Sequence, residues 1–299
     1  MLVPLPHLLA KAQAGGYAIG YFEAWDSYSL EAVVEAAEAE NAPVIIGFGC
    51  MMVSPTWLDS GGIGLLGRMG RAIAERTNVP VAFLLNEAHT YAETLEGIEA
   101  GFNAVMLDTS SWETPRAVEQ VRELVSVAHA HGIAVEAELG RLPDAVGHDI
   151  DRSSAALTDP EAAAAFVAET GVDCLAVAIG NIHLLTTEFA PIDLAHLARI
   201  HARVQIPLVI HGGTSFPPSA VPEAIAQGAA KFNVGTILKK IFLQGVLETS
   251  RAYDADVNVH DVLGSHKEAD LLVIGKQHMR EKVREFLRIY HSSGHAHDF

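Results

Sequence analysis

The sequence is poor in cysteine, in positive charge and in long apolar runs. Only Cys50 and Cys174 occur among its 299 residues. They form no CxxC pair and no disulfide framework, which fits a reducing compartment. Lys and Arg total 20 against 37 Asp and Glu, a formal net charge of −17. A field of that sign repels phosphate backbones, so nucleic acid is not an expected partner. A small anionic substrate stays compatible if the site has local donors. No apolar run reaches the ~20 residues of a membrane helix. The opening MLVPLPHLLAKAQAGG lacks the apolar core of a signal peptide. A cytoplasmic protein without membrane partners is therefore expected.

Apolar residues, by contrast, are plentiful. They make up 49% of the chain, enough for a large core and too many for disorder. Short apolar runs at Ala18–Trp25, Pro43–Gly49, Pro80–Glu87, Ala104–Thr109, Ala134–Gly140, Cys174–Gly180, Pro207–Gly213 and Lys231–Thr236 read as strands buried on both faces. Between and after them lie stretches of helical period: Ser29–Glu40, Ile63–Glu75, Ala92–Ala100, Pro115–His131, Pro160–Thr170, Leu194–Arg203, Ser219–Gln227 and Leu238–Tyr253. Thr158-Asp159-Pro160-Glu161 and Ser215-Phe216-Pro217-Pro218 read as helix starts, and Gly101, Gly132, Gly171 and Gly228 as helix stops.

Eight βα units predict an α/β fold, a (β/α)₈ TIM barrel in one domain over residues 1–299. The alternative doubly wound sheet lacks its GxGxxG fingerprint after the first strand. Gly61-Gly62-Ile63-Gly64 reads as a flexible connection, and Arg141–Ala156 as a polar lid-like loop. Residues 254–299 form a C-terminal extension with a helix at about Lys276–Tyr290 and a frayed HSSGHAHDF tail.

Barrels of this kind place chemistry at the C-terminal ends of their strands. Those ends carry Glu23 and Asp26, Asn86-Glu87 with His89 beyond, Asp108, Glu136 and Glu138, His183, His211-Gly212-Gly213-Thr214-Ser215, and Asn233 to Thr236. A lone histidine at a strand end is usually a hydrogen-bonded core residue. Two at matched ends of adjacent strands, each near glycines, point instead to a metal site for His183 and His211. Imidazole with carboxylate suits Zn²⁺ or a similar divalent ion. Gly212 and Gly213 allow backbone N–H groups close to a ligand, and Thr214, Ser215, Asn233 and Thr236 add neutral donors, as in the phosphate sites of such barrels. Ser215 also reads as an ordinary N-cap.

These residues resemble the class II, metal-dependent fructose-bisphosphate and tagatose-bisphosphate aldolase family. The resemblance covers nearly the whole chain. It is carried by LLAKAQAGGY from Leu8, AVVEAAEAENAP from Ala32, AGFNAVMLD from Ala100, VEAELG from Val135, GVDCLAVAIG from Gly171, IHGG from Ile210 and KFNVGT from Lys231. It implies cleavage of a ketose phosphate between C3 and C4, with one zinc polarising the carbonyl and stabilising an enediolate. By resemblance His183 and His211 are metal ligands, and Asp108 with Glu138 or Glu136 are carboxylates lining the metal region. Gly212, Gly213, Thr214, Asn233 and Thr236 lie around the phosphate. Zn²⁺ is the implied ion, with Mn²⁺, Co²⁺ and Mg²⁺ as alternatives, and a homodimer or homotetramer is the implied assembly.

The sequence departs from the family where the acid/base chemistry sits. An Asp-His pair, acid/base and third ligand, is replaced by Asn86-Glu87. A His₂Glu set can still hold zinc with an open position, so Glu87 is the expected third ligand and His89 its alternative. An Asn-rich first strand end becomes Phe22-Glu23-Ala24-Trp25-Asp26. Glu23 can replace the missing acid/base, or Glu23 and Asp26 can serve as local caps. The His-Gly stretch of the family becomes His183-Leu184-Leu185-Thr186-Thr187, so the substrate is expected to be smaller, or to carry one phosphate or none. In the loop after strand five, Asp144 or Asp149 is a further acid candidate. The leading expectation is a divalent-metal aldolase with Glu23, Asn86 and Glu87 at the reacting centre. A metal-dependent isomerase or epimerase and a non-catalytic sugar-phosphate binder are the competing ones.

Overall fold

A computed structural model describes residues 1–146, 149–151, 155–254 and 256–299. Among them, eight parallel strands close into a barrel: β1 (Ile19–Glu23), β2 (Val44–Gly49), β3 (Val81–Ala88), β4 (Ala104–Leu107), β5 (Ala134–Leu139), β8 (Cys174–Val177), β9 (Leu208–Ile210) and β10 (Ala229–Val234). β1 closes the ring by pairing with both β2 and β10. Two short antiparallel strands, β6 (Asp144–Val146) and β7 (Asp149–Asp151), form a hairpin in the loop after β5. The eight expected strands are all present, trimmed at their ends where side chains leave the ladder for the loops.

Strand alternation divides the core in two. Ile19, Tyr21, Ile45, Leu84, Met106, Cys174 and Val209 fill the barrel interior, while Phe22, Ile46, Phe83, Leu85, Val105 and Leu175 pack outward against the helices. The helix Leu5–Gly15, not recognised in the sequence, contributes Leu5, Leu8, Leu9 and Ala12 to the interior cluster. It plugs the N-terminal end, so the open mouth lies at the C-terminal ends of the strands.

Several local expectations are corrected. Gly61-Gly62 is a kink between helical segments rather than a long loop: Gly61 takes φ 98° and the chain enters the helix Ile63–Arg76 directly after the pair. Ser215 caps no helix. It lies in a 3₁₀ turn, with its hydroxyl 3.3 Å from the Gly212 carbonyl, and the next helical turn begins at Pro218. The C-terminal helix begins earlier than expected, at Leu271, because the Asp270 side chain accepts from Leu272 N and starts it. The tail is not frayed: Gly294 N and Ala296 N donate to the carbonyls of Glu40 and Asn41, and His295 stacks on Tyr17 at 4.1 Å between centroids. Asp159 does cap the helix Pro160–Thr170, and Gly101 and Gly171 do end theirs. The lid-like loop is latched to the barrel, since His183 N donates to Pro143 O and Ala145 N to His183 O. Residues 147, 148 and 152–154 of that loop lie outside the described residues. No described helix is long and apolar enough to cross a membrane.

Candidate active site

The open mouth holds a cleft whose lining includes Glu23, Asn86, Glu87, His183, His211, Gly212, Thr214, Asn233 and Thr236. The carboxylates lining it among the described residues are Glu23 and Glu87. An adjoining smaller cleft is lined by Glu87, Asp108, Glu138, Asp144 and His183.

Glu87 is brought into the mouth by an irregularity in its strand. Leu85 pairs with Val105 but Ala88 pairs with Leu107, so β3 carries one extra residue at Asn86-Glu87. Such a bulge re-aims a side chain. Glu87 takes a left-handed backbone, φ 52°, uncommon for a non-glycine residue. Its carboxylate accepts from the Asn86 amide at 2.8 Å and lies 3.4 Å from His211 Nδ1. Ligand atoms of Glu87, His183 and His211 all fall within 4.8 Å of one another, a spacing that could hold a divalent ion.

His211 is held from behind. Its Nε2 is 3.0 Å from Glu136, which leaves Nδ1 facing Glu87 and Glu138, each at 3.4 Å. The Glu136 carboxylate is also 2.8 Å from the fully buried Lys231 ammonium. A carboxylate behind a ligating imidazole fixes its orientation and raises its basicity. Asn181 adds a brace: its amide donates to His211 O at 2.9 Å, tying the end of β8 to the end of β9. His183 has Nδ1 3.3 Å from Asp144 on the hairpin, so the lid loop touches this histidine directly. Gly212 has φ 68°, and a Cβ there would lie 2.5 Å from the Ile182 carbonyl, so the turn behind His211 admits only glycine.

Electrostatics separate the carboxyls. Burial disfavours the Glu136 carboxylate, but Lys231 and then His211 outweigh it and hold its pKa at about 2. Burial likewise opposes the Glu87 carboxylate, and hydrogen bonding and charge from His211 and His183 still bring it below the ordinary range. Glu23 and Glu138 go the other way, raised chiefly by burial. Burial lowers His211 while its bonds to Glu136 and Glu87 raise it, for a net rise to about 10. His183 is also raised, its partner Asp144 and the nearby glutamates outweighing burial.

Not every sequence candidate joins this group. His89 turns toward Glu93, 3.5 Å away, whose carboxylate also accepts from His89 N at the start of the helix Tyr91–Ala100, so the bulge delivers Glu87 rather than His89. Asp108 accepts from Ser110 N at 2.9 Å and borders the smaller cleft. Asp26 takes the capping role, with Ser29 N donating to Oδ1 at 2.8 Å, which leaves Glu23 to the cleft. Thr214 Oγ1 lies 3.4 Å from Ile237 N, bridging the loops after β9 and β10. Sequence reasoning missed Lys231 and Tyr21, which lie beneath the site, and Lys239, 2.6 Å from Glu23.

Comparison with known proteins settles the lineage. The family model described as fructose-bisphosphate aldolase class-II matches residues 3–295. The chain belongs to the class II fructose-bisphosphate aldolase family. It is an enzyme, a lyase of the aldolase type. It is 34% identical to the fructose-bisphosphate aldolase of Thermus caldophilus, over 99% of this chain and 100% of that one. It is 32% identical to a probable fructose-bisphosphate aldolase of Bacillus subtilis, over 94% and 97% of the two chains. Among solved structures, the crystal structure of the YdjI aldolase from Escherichia coli K12 superposes with a TM-score of 0.81 at 28% identity, covering 99% of this chain and 100% of that one.

Proposed function

We propose that the protein is a divalent-metal-dependent aldolase that cleaves a ketose phosphate or related sugar by retro-aldol C–C cleavage. The observation that carries this reading is the convergence of Glu87, His183 and His211 ligand atoms within 4.8 Å at the mouth of an aldolase-family barrel. The donor set fits an ion: two imidazoles and one carboxylate leave an open position for substrate. Glu138 Oε2 is buried at the same place, with His211 Nδ1 3.4 Å away but no hydrogen bond made among the described residues. Zn²⁺ suits the set best, with Mn²⁺, Co²⁺ or Mg²⁺ as alternatives. When bound, the ion supplies Lewis-acid polarisation of the ketose carbonyl.

The chain's own residues supply the rest. Glu136 orients His211, and the Asn86 amide orients Glu87. Asn86 Oδ1, buried and without a partner among the described residues, accepts a substrate hydroxyl. Glu23 moves the proton, because burial raises its carboxyl toward the range a general acid/base needs. Gly212, Thr214, Asn233 and Thr236, which line the same cleft, contact the substrate together with Gly213. The family and the charge balance support a cytoplasmic homodimer or homotetramer acting on a small molecule.

Metal analysis of the purified protein beside a Glu87→Ala variant tests this. About one divalent ion per chain, lost with Glu87, together with release of two carbonyl fragments from a ketose substrate, is expected. No bound metal after Zn²⁺ or Mn²⁺ loading would sink the mechanism, and an isomerised rather than cleaved product would replace it.

A further inference from the structure

The loops after β9 and β10 meet the start of the 15-residue helix Thr236–Ser250. In barrels of this type that junction offers N–H groups and a helix dipole to an anion. Here an anion is already built in. The Glu23 carboxyl, carried on the end of β1, presses against the junction so closely that a Cβ on Gly235 would stand 2.3 Å from Glu23 Oε2. On its other side a Cβ on Gly49 would lie 3.3 Å from the carboxyl carbon. Lys239, from the first turn of that helix, reaches back to Glu23 Oε1 at 2.6 Å and stands 5.7 Å over the Trp25 ring. The Lys239 ammonium is thus already committed. Beside it Asn233, 8% exposed, lines the cleft and has a buried Nδ2 with no acceptor among the described residues.

We propose that Glu23 is a charge filter, so that this end of the cleft takes an uncharged, hydroxyl-bearing end of the sugar rather than a phosphate. A hydroxyl satisfies both groups at once: it donates to the Glu23 carboxylate and accepts from Asn233 Nδ2. A phosphate dianion offers no donor to Glu23 and meets it as a like charge in a partly desolvated cleft, which is how sites reject a wrong ligand. This deepens the aldolase reading and rests on it for the substrate class.

Because Glu23 is also the proton-transfer candidate, the test reads binding rather than turnover. Zn²⁺-loaded protein is titrated with dihydroxyacetone, dihydroxyacetone phosphate and inorganic phosphate. The wild type is expected to bind the unphosphorylated ketone at least as tightly as its phosphate. Glu23→Gln shifts the ratio toward the phosphate by about tenfold or more, the effect of removing a close like charge. Lys239→Met, which leaves the carboxylate uncompensated, shifts it the opposite way and serves if Glu23→Gln does not fold. A wild type that prefers the phosphate tenfold, binds neither ketone, or keeps its ratio in both variants overturns the proposal. Shifted ratios in a protein that cleaves no ketose would instead retire the aldolase reading and leave the filter standing.

Discussion

Replacing Lys231 with Met tests whether the buried charge beneath the site holds the histidine above it. Lys231 is 0% exposed, with its ammonium 2.8 Å from Glu136 Oε2 and 2.5 Å from Asn233 Oδ1. Methionine keeps much of the volume and removes the charge, leaving Glu136 with His211 as its remaining ionic partner. Glu136 is held at about 2 against an ordinary 4.5, mostly by Lys231 working against burial. At about 1.4 kcal/mol per unit that depression corresponds to about 3 kcal/mol, within the ~3–5 kcal/mol range for breaking a buried pair by removing one partner. The sign follows from the depressed value: the contribution is present above pH 4.5 and is lost as pH falls toward 2. Lys231→Met should therefore unfold at lower denaturant at pH 7 and at a higher pH in acid titration. Because Glu136 orients His211, metal affinity should also drop by roughly 10–100-fold. Adding Glu136→Gln removes the stranded charge and should recover at least about 1 kcal/mol. A single-variant loss below about 1 kcal/mol, or a double variant no more stable than the single, would refute the coupling.

Two further outcomes follow from the same geometry. Gly212 and Gly132 share nearly the same left-handed φ, 68° and 69°, but a Cβ at Gly132 meets nothing within 4 Å among the described residues. Both alanine variants bear the backbone strain, of order 1 kcal/mol; Gly212→Ala alone should also push the Ile182 carbonyl, disturb His183 and weaken metal binding, and equal effects in the two would refute the steric reading. Metal binding should release protons: His183 and His211 are raised, His211 to about 10, and must lose their protons to ligate. Zn²⁺ affinity should rise by about tenfold per pH unit per proton displaced between pH 6 and 9, as counted by calorimetry in buffers of different ionisation enthalpy, and a pH-independent affinity would contradict it.

The barrel was legible because each strand is a short apolar run closed by turn residues, and because a parallel sheet buries both faces. What escaped was order imposed from a distance. The spacing of Leu5, Leu8, Leu9 and Ala12 is that of a helix face, yet Pro4 before it and Pro6 in its first turn hide it, and only the barrel floor explains why it is buried. The tail reads as polar and frayed because its partners, Tyr17 and Glu40, lie more than two hundred residues earlier. His211 was legible because it directly follows β9, and His183 because it stands shortly after Gly180 in the loop just beyond β8. Lys231 was not, because a lysine within AAKFNV gives no local sign of which face it takes; closure of the ring puts it inside.

The exchange at Asn86-Glu87 and the appearance of Glu23 are best understood as one change rather than two. An amide where the family has a carboxylate cannot carry a proton, but it can orient its neighbour, and Asn86 does so at 2.8 Å. The charge then resides on Glu87, against two imidazoles, where its pKa falls and its value as a ligand rises. A carboxyl pinned in that ionised state is a poor proton shuttle. Glu23 lines the same cleft with the opposite environment, buried and raised. Two carboxyls whose surroundings drive their pKa values apart can divide the work between them, and on that ground we propose the metal-ligand role for Glu87 and the proton-transfer role for Glu23. On that division Glu87→Gln removes metal and activity together. Glu23→Gln leaves the metal in place and flattens the pH profile of turnover, whereas metal lost from Glu23→Gln would mean that the two carboxyls share one role.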